Sequence, residues 1–229
     1  MIFSFTLSPV AYGALRCIRN LTFTLALPFS VATAVNAESV TVFALGDSLT
    51  AGYGLADGEG LVPQLNLWLA DQGADITVLN GGVSGDTSAG GLSRLAWSLT
   101  PEVDAMIVTL GGNDLLRGLQ PVVTRNNIEK ILVEAQTRAL PVLLIGMEAP
   151  GNFGPDYKTA FDQLYPELAA QYGAQHIASY FGLIDPDATD PGQIAELMQA
   201  DGIHPNADGV KRAVESLGPQ ILKLVGQVD

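Results

Sequence analysis

The chain has 229 residues, and its 11 Lys and Arg face 24 Asp and Glu, a formal charge of -13. That charge is repelled by phosphate backbones and excludes nucleic acid as a partner. With 48% hydrophobic and 15% charged residues the composition is that of a folded domain, not a disordered chain. A single cysteine and two histidines leave neither a disulfide framework nor a cysteine-rich zinc site, so no metal site is expected.

In chain order, residues 1–37 come first. They hold no acid, their only basic residues are Arg16 and Arg19, and an apolar run from Leu21 to Val35 ends at Val35-Asn36-Ala37. A basic region, an apolar core and a small-residue exit form the layout of a secretory signal, with cleavage before Glu38. The 15-residue run contains Pro28 and falls short of the roughly 20 residues a spanning helix needs. The expectation is a signal peptide over 1–37, one domain over 38–229, a periplasmic or secreted location and no stable membrane anchor after processing. The remaining chain has 9 basic and 24 acidic residues, a charge of -15, and no cysteine.

From Val40 on, apolar runs alternate with helical patterns. Val40–Leu45, Ile76–Leu79, Ala105–Leu110 and Val142–Ile145 are short, rich in β-branched residues and closed by polar or glycine residues. They fit buried parallel strands. Gln175–Ala178 is a weaker fifth candidate. Between them, apolar residues recur at helical spacing around Leu61–Leu69, Leu92–Leu99, Ile128–Ala135, Phe161–Leu168 and Val210–Leu224. Such alternation implies crossover units and a sheet covered on both faces.

Ligands of such sheets bind beyond the carboxyl ends of the strands. Three glycine-rich loops lie there: Gly46-Asp-Ser-Leu-Thr-Ala-Gly52, Asn80-Gly-Gly-Val-Ser-Gly-Asp-Thr87 and Gly111-Gly-Asn-Asp114. Ser48 can cap the next helix or act as a nucleophile; Thr50 rules out the Gly-x-Ser-x-Gly elbow. Asp201-Gly-Ile-His204-Pro205 places a carboxylate within reach of an imidazole ahead of the last helix, whose start Pro205 suits. His204 is then a base for a hydroxyl, or merely a solvated residue in a helix-entry loop. His176, in an apolar context, reads as structural. Asn113 and the amides of Ser48 and Gly85 can converge on an oxyanion. Asp47, Asp86 and Asp114 read as structural acids satisfying loop donors.

Gly46-Asp47-Ser48-Leu49, Gly85, Gly111-Gly112-Asn113-Asp114 and Asp201-x-x-His204 together resemble the four blocks of the SGNH (GDSL) hydrolase family, in order and at compatible spacing. Ser84–Ser88, Leu110–Leu119 and Asp201–Asn206 are similar to its bacterial thioesterase I/protease I/lysophospholipase and arylesterase subgroup. The resemblance implies a flavodoxin-like three-layer α/β/α sandwich with a five-stranded parallel sheet. It implies hydrolysis of small-molecule esters and thioesters without a cofactor. Ser48 is then the nucleophile, His204 the base and Asp201 its orienting acid, with Ser48, Gly85 and Asn113 forming the oxyanion hole.

For the substrate, Leu115–Pro121 and Glu148–Pro155 flank the expected site. Leu115, Leu116, Leu119 and Phe153 either line an acyl groove or pack on the core, and Leu116 and Phe153 are the expected substrate contacts. The acidic surface favours neutral esters over anionic phospholipids. Two rival readings are a carbohydrate acetyl esterase of the same fold and a non-enzymatic flavodoxin-like binding module. The second has no use for a distant Asp–His pair and lacks basic residues in its loops.

Overall fold

The structure, a computed structural model, describes residues 39–187 and 191–228. The expected signal segment lies outside the described residues. Within them the order is β1 (Val40–Gly46), α1 (Ser48–Ala51), α2 (Leu61–Asp71), β2 (Ile76–Gly82), α3 (Ser88–Ser98), β3 (Ala105–Thr109), α4 (Gly112–Leu116), α5 (Pro121–Thr137), β4 (Val142–Ile145), α6 (Pro155–Tyr172), β5 (Gln175–Ile177), α7 (Phe181–Ile184) and α8 (Ala207–Val225). A 3-10 turn at Gly151–Phe153 and a 3-10 segment over Pro191–Leu197, kinked at Ile194, complete it.

The five strands form one sheet in the order β2-β1-β3-β4-β5, and every pairing is parallel. The chain steps one way from β1 to β2, then back across the sheet to β3, β4 and β5. Right-handed crossovers therefore put α2 on one face and α3, α5 and α6 on the other. The helix contacts agree: α2 and α7 pack on α8, while α3 and α6 pack on α5. This is the expected three-layer sandwich.

β1, β3 and β4 are the most deeply buried strands because helices cover both their faces, and from Val42 to Leu45 every residue of β1 is buried. α8 turns Val210, Val214, Leu217, Ile221 and Leu224 into the core, and Gly218 lets it lie directly on the Trp68 ring of α2. The order in which strands are added reverses at β1, whose neighbours are β2 and β3. The crevice beyond its carboxyl end is the place such a sheet reserves for a ligand.

Several boundaries differ from the sequence reading. β2 continues through Asn80-Gly81-Gly82, because a ladder pairs backbone, and these residues pair with Ala44–Gly46. β3 stops at Thr109 and β5 at Ile177. Pro205 does not begin the last helix. α8 starts at Ala207 with Asn206 as its cap, accepting from the backbone of Asp208 and Gly209, while Pro205 bridges to Met198.

Candidate active site

Asp47 decides what Ser48 can do. It caps α1, its Oδ1 accepting the Leu49 amide at 3.0 Å. The capping role that Ser48 could have taken is thus filled by its neighbour, and the Ser48 hydroxyl is free. His204 Nε2 lies 2.8 Å from Ser48 Oγ, and His204 Nδ1 lies 2.6 Å from Asp201 Oδ2. Asp201 Oδ1 accepts the backbone amides of Ile203 at 2.9 Å and His204 at 3.0 Å. The hydrogen bond from the His204 ring, helped by these two amides, holds the Asp201 carboxyl down at about 2. A carboxylate only accepts, so Nδ1 carries the ring hydrogen and Nε2 faces Ser48 as an acceptor.

Ser48 and His204 are 156 residues apart, and one side chain unnoticed in the sequence ties their loops together. Gln199 Nε2 donates to Tyr53 O at 2.8 Å and to Pro205 O at 2.9 Å, and the Gln199 amide donates to His204 O at 2.7 Å. Gly54, at φ +74°, passes so close to Gln199 Oε1 that a Cβ there would collide with it. The Tyr53 ring sits against the imidazole, centroids 4.7 Å apart.

Gly85 and Asn113 line the same cleft as Ser48 and His204. Gly85 adopts φ +85°, which turns its peptide in a way an L side chain would resist, and Arg117 Nη2 holds its carbonyl at 2.8 Å. Asn113 Nδ2 reaches Asp47 Oδ2 at 3.3 Å. An ionised Asp47 accepts only, so it selects the amide orientation that presents NH2 and leaves the second hydrogen for the cleft. Burial pushes the Asp47 carboxyl up to about 6, against hydrogen bonds from Leu49 and Asn113 and the nearby His204.

Asp114 and Asp86 hold the loops together. Asp114 is fully buried and accepts from Ser88 N at 2.7 Å, from Ser88 Oγ, and from Thr124 Oγ1 at 3.1 Å. It thereby ties α4, which carries Asn113, to the start of α3 and to α5. Asp86 pairs with Arg94 at 2.7 Å, and Arg94 Nη2 also holds Gly46 O at 2.9 Å. His176 sits on β5 opposite Leu144, away from the cleft lining, and burial lowers its pKa.

The cleft has a volume of about 460 Å³. Leu116 and Phe153 line it, and both expose large apolar surface. Leu115 both lines the cleft and belongs to the core; Leu119 does not line it, and its carbonyl accepts from Tyr157 Oη. Glu148, Pro150 and Asn152 bring the loop after β4 into the wall, and Tyr53, Phe181 and Ile203 join them unanticipated. Among the described residues no three His, Cys, Asp or Glu are grouped to hold a metal, and no helix is long and apolar enough to cross a membrane.

A serine, a histidine and an aspartate in hydrogen-bonded series, beside a largely apolar cleft at the switch point of a parallel sheet, are the features of an ester hydrolase. The model of the GDSL-like lipase/acylhydrolase family matches residues 44–212, and the chain belongs to that family. It is 38% identical to the esterase TesA of Pseudomonas aeruginosa, over 82% of this chain and 91% of that one. It is 34% identical to thioesterase 1/protease 1/lysophospholipase L1 of Escherichia coli K12, over 82% of this chain and 86% of that one. The crystal structure of AlinE4, an SGNH-hydrolase family esterase, superposes with a TM-score of 0.66 at 41% identity, covering 81% of this chain and 96% of the other. The chain is an ester-hydrolysing enzyme of that family.

Proposed function

We propose that the enzyme hydrolyses carboxylic esters and acyl thioesters through an acyl-enzyme on Ser48. The observation that carries this reading is the unbroken series Asp201–His204–Ser48 at 2.6 and 2.8 Å, with Asp47 supplying the cap. His204 Nε2 takes the hydroxyl proton as Ser48 Oγ attacks the acyl carbonyl. Asp201 holds the ring and stabilises the imidazolium. The amides of Ser48 and Gly85 and the Asn113 NH2 receive the oxyanion. His204 returns the proton to the departing alcohol or thiol. Water, deprotonated by the same imidazole, then releases the acid. The apolar cleft favours an acyl chain over a sugar as the bound group.

A serine-reactive phosphonate tests the assignment. Wild type is expected to gain one adduct, on Ser48, and folded Ser48→Ala to lose both adduct and turnover. If Ser48 were only structural, its alanine variant would keep its turnover.

We also propose export with removal of residues 1–37. The support is the acid-free segment carrying Arg16 and Arg19, the apolar run and the Val35-Asn36-Ala37 exit. N-terminal sequencing of the secreted or periplasmic protein is expected to begin at Glu38; a start near Met1 would overturn this.

A further inference from the structure

The cleft wall contains a charge that the hydrolytic steps do not use. Glu148 follows β4 by three residues and is half-buried; it lines the largely apolar cleft whose wall also includes Met147, Phe153 and Phe181. A carboxylate in such a wall is costly unless it is paired. Yet among the described residues Glu148 has no hydrogen-bond or ion-pair partner.

Lys158 and Arg117 are engaged elsewhere. Lys158 Nζ, one turn into α6, donates to Ala149 O at 2.8 Å and to Asp162 at 2.7 Å. Asp162 in turn accepts the Ala149 amide at 2.7 Å. The backbone directly after Glu148 is therefore pinned, and Lys158 pairs with Asp162 and not with Glu148. Arg117, on the opposite loop, holds Gly85 O and does not line the cleft. The described lining contains no lysine or arginine. Its other acid, Asp47, is buried beneath the nucleophile.

We propose that Glu148 selects substrates by charge. The group of the ester or thioester that lodges against the loop 146–155 is neutral or carries an ammonium ion, and an anionic group there is rejected. A carboxylate or phosphate entering beside Glu148 meets a like charge in a partly desolvated wall. An ammonium group meets an opposite charge, and the rings of Tyr53, Phe153 and Phe181 in the same cleft add attraction for a weakly hydrated cation. This proposal rests on the ester-hydrolase reading of the cleft.

Two matched series test it, with the charge placed on either side of the scissile bond. The acyl series is p-nitrophenyl hexanoate, 6-aminohexanoate and adipate monoester. The leaving-group series is the S-butyryl esters of 3,3-dimethylbutanethiol, thiocholine and 3-mercaptopropionate. In wild type at low salt, kcat/KM relative to the neutral member is expected to be higher for the cation and lower for the anion in at least one series. Each step should be roughly two- to tenfold. Added salt should compress these ratios. Glu148→Gln should bring both toward unity, and Glu148→Lys should invert them, with thermal melts reporting on folding. Ratios that are identical in wild type, Glu148→Gln and Glu148→Lys in both series would overturn the proposal. So would wild-type ratios of unity that do not respond to salt, a result that needs no variant. Phosphonate labelling run alongside separates the two claims: loss of the Ser48 assignment leaves the ratios standing, and flat ratios leave Ser48 standing.

Discussion

At Asp47 and Ser48, two adjacent residues divide two tasks that either could perform. Both side chains are good helix caps. The cap falls to Asp47, which frees the Ser48 hydroxyl for His204 and brings the second carboxylate oxygen against Asn113. Asn113 is where a structural and a catalytic role diverge most. In a Gly-Gly-Asn-Asp turn an asparagine is ordinary, since it tolerates unusual backbone and bonds locally. Here its backbone sits inside α4 and its side chain lines the cleft. A donor aimed at charge that exists only in the transition state affects kcat rather than KM. Asn113→Ala is expected to lower kcat by about 10²–10³, or about 2.7–4 kcal/mol, with KM little changed. Normal kcat with a lowered melting temperature would leave Asn113 a purely structural residue. The Asp201–His204 contact was readable from residue type and spacing, and Ser48 as its partner from the resemblance of the four blocks. The Asp47–Asn113 contact was not, because it joins the ends of β1 and β3, which become neighbours only when the sheet forms.

Among the elements, the buried strands and amphipathic helices were legible because burial writes a period into the chain. Val142–Ile145 is one apolar block and is β4 to the residue. The apolar spacing from Val210 to Leu224 is the buried face of α8. Elements that obey backbone needs escaped notice. Asn80-Gly81-Gly82 looks like a turn, yet it extends β2; Gly81 fits there because the Phe43 ring leaves no room for a Cβ. The stretch from Phe181 to Pro205 has no period at all. Its described residues fold as α7, a kinked 3-10 segment and the Met198–Pro205 bridge, anchored in the core at Leu183, Ile184, Ile194 and Met198. Gln199 belongs to it. No local pattern marks a glutamine whose partners include a carbonyl 146 positions away. Nor did the sequence show that the loop after β4 carries an unpaired carboxylate into the cleft, since pairing is settled by where Lys158 and Asp162 point.

For the molecule as a whole, the site sets stability and turnover against each other along the pH scale. The Asp47 carboxyl, ordinarily at 3.8, stands at about 6 in the folded protein, chiefly because it is buried. The folded state therefore holds that proton more tightly than the unfolded chain does. Its contribution to stability is fully present below 3.8 and is lost as pH rises through about 6, a difference of about 3 kcal/mol. Asp201 runs the other way: its folded value near 2 gives stability that is present above 3.8 and lost as pH falls through about 2, outside the working range. His176, lowered by burial, also favours the folded state at higher pH and partly offsets Asp47. The diagnostic quantity is accordingly the difference between wild type and Asp47→Asn, in which the other groups cancel. Urea unfolding at pH 5 and pH 8 is expected to show the variant gaining on wild type by roughly 1 kcal/mol between the two, the part of the full difference that falls in this window. Its kcat at pH 8 should nevertheless fall, because an amide at position 47 no longer compels Asn113 to present its NH2. Equal pH slopes in the two proteins would show that burial of Asp47 carries no such cost. A variant with unimpaired kcat would show that Asn113 is oriented by something else.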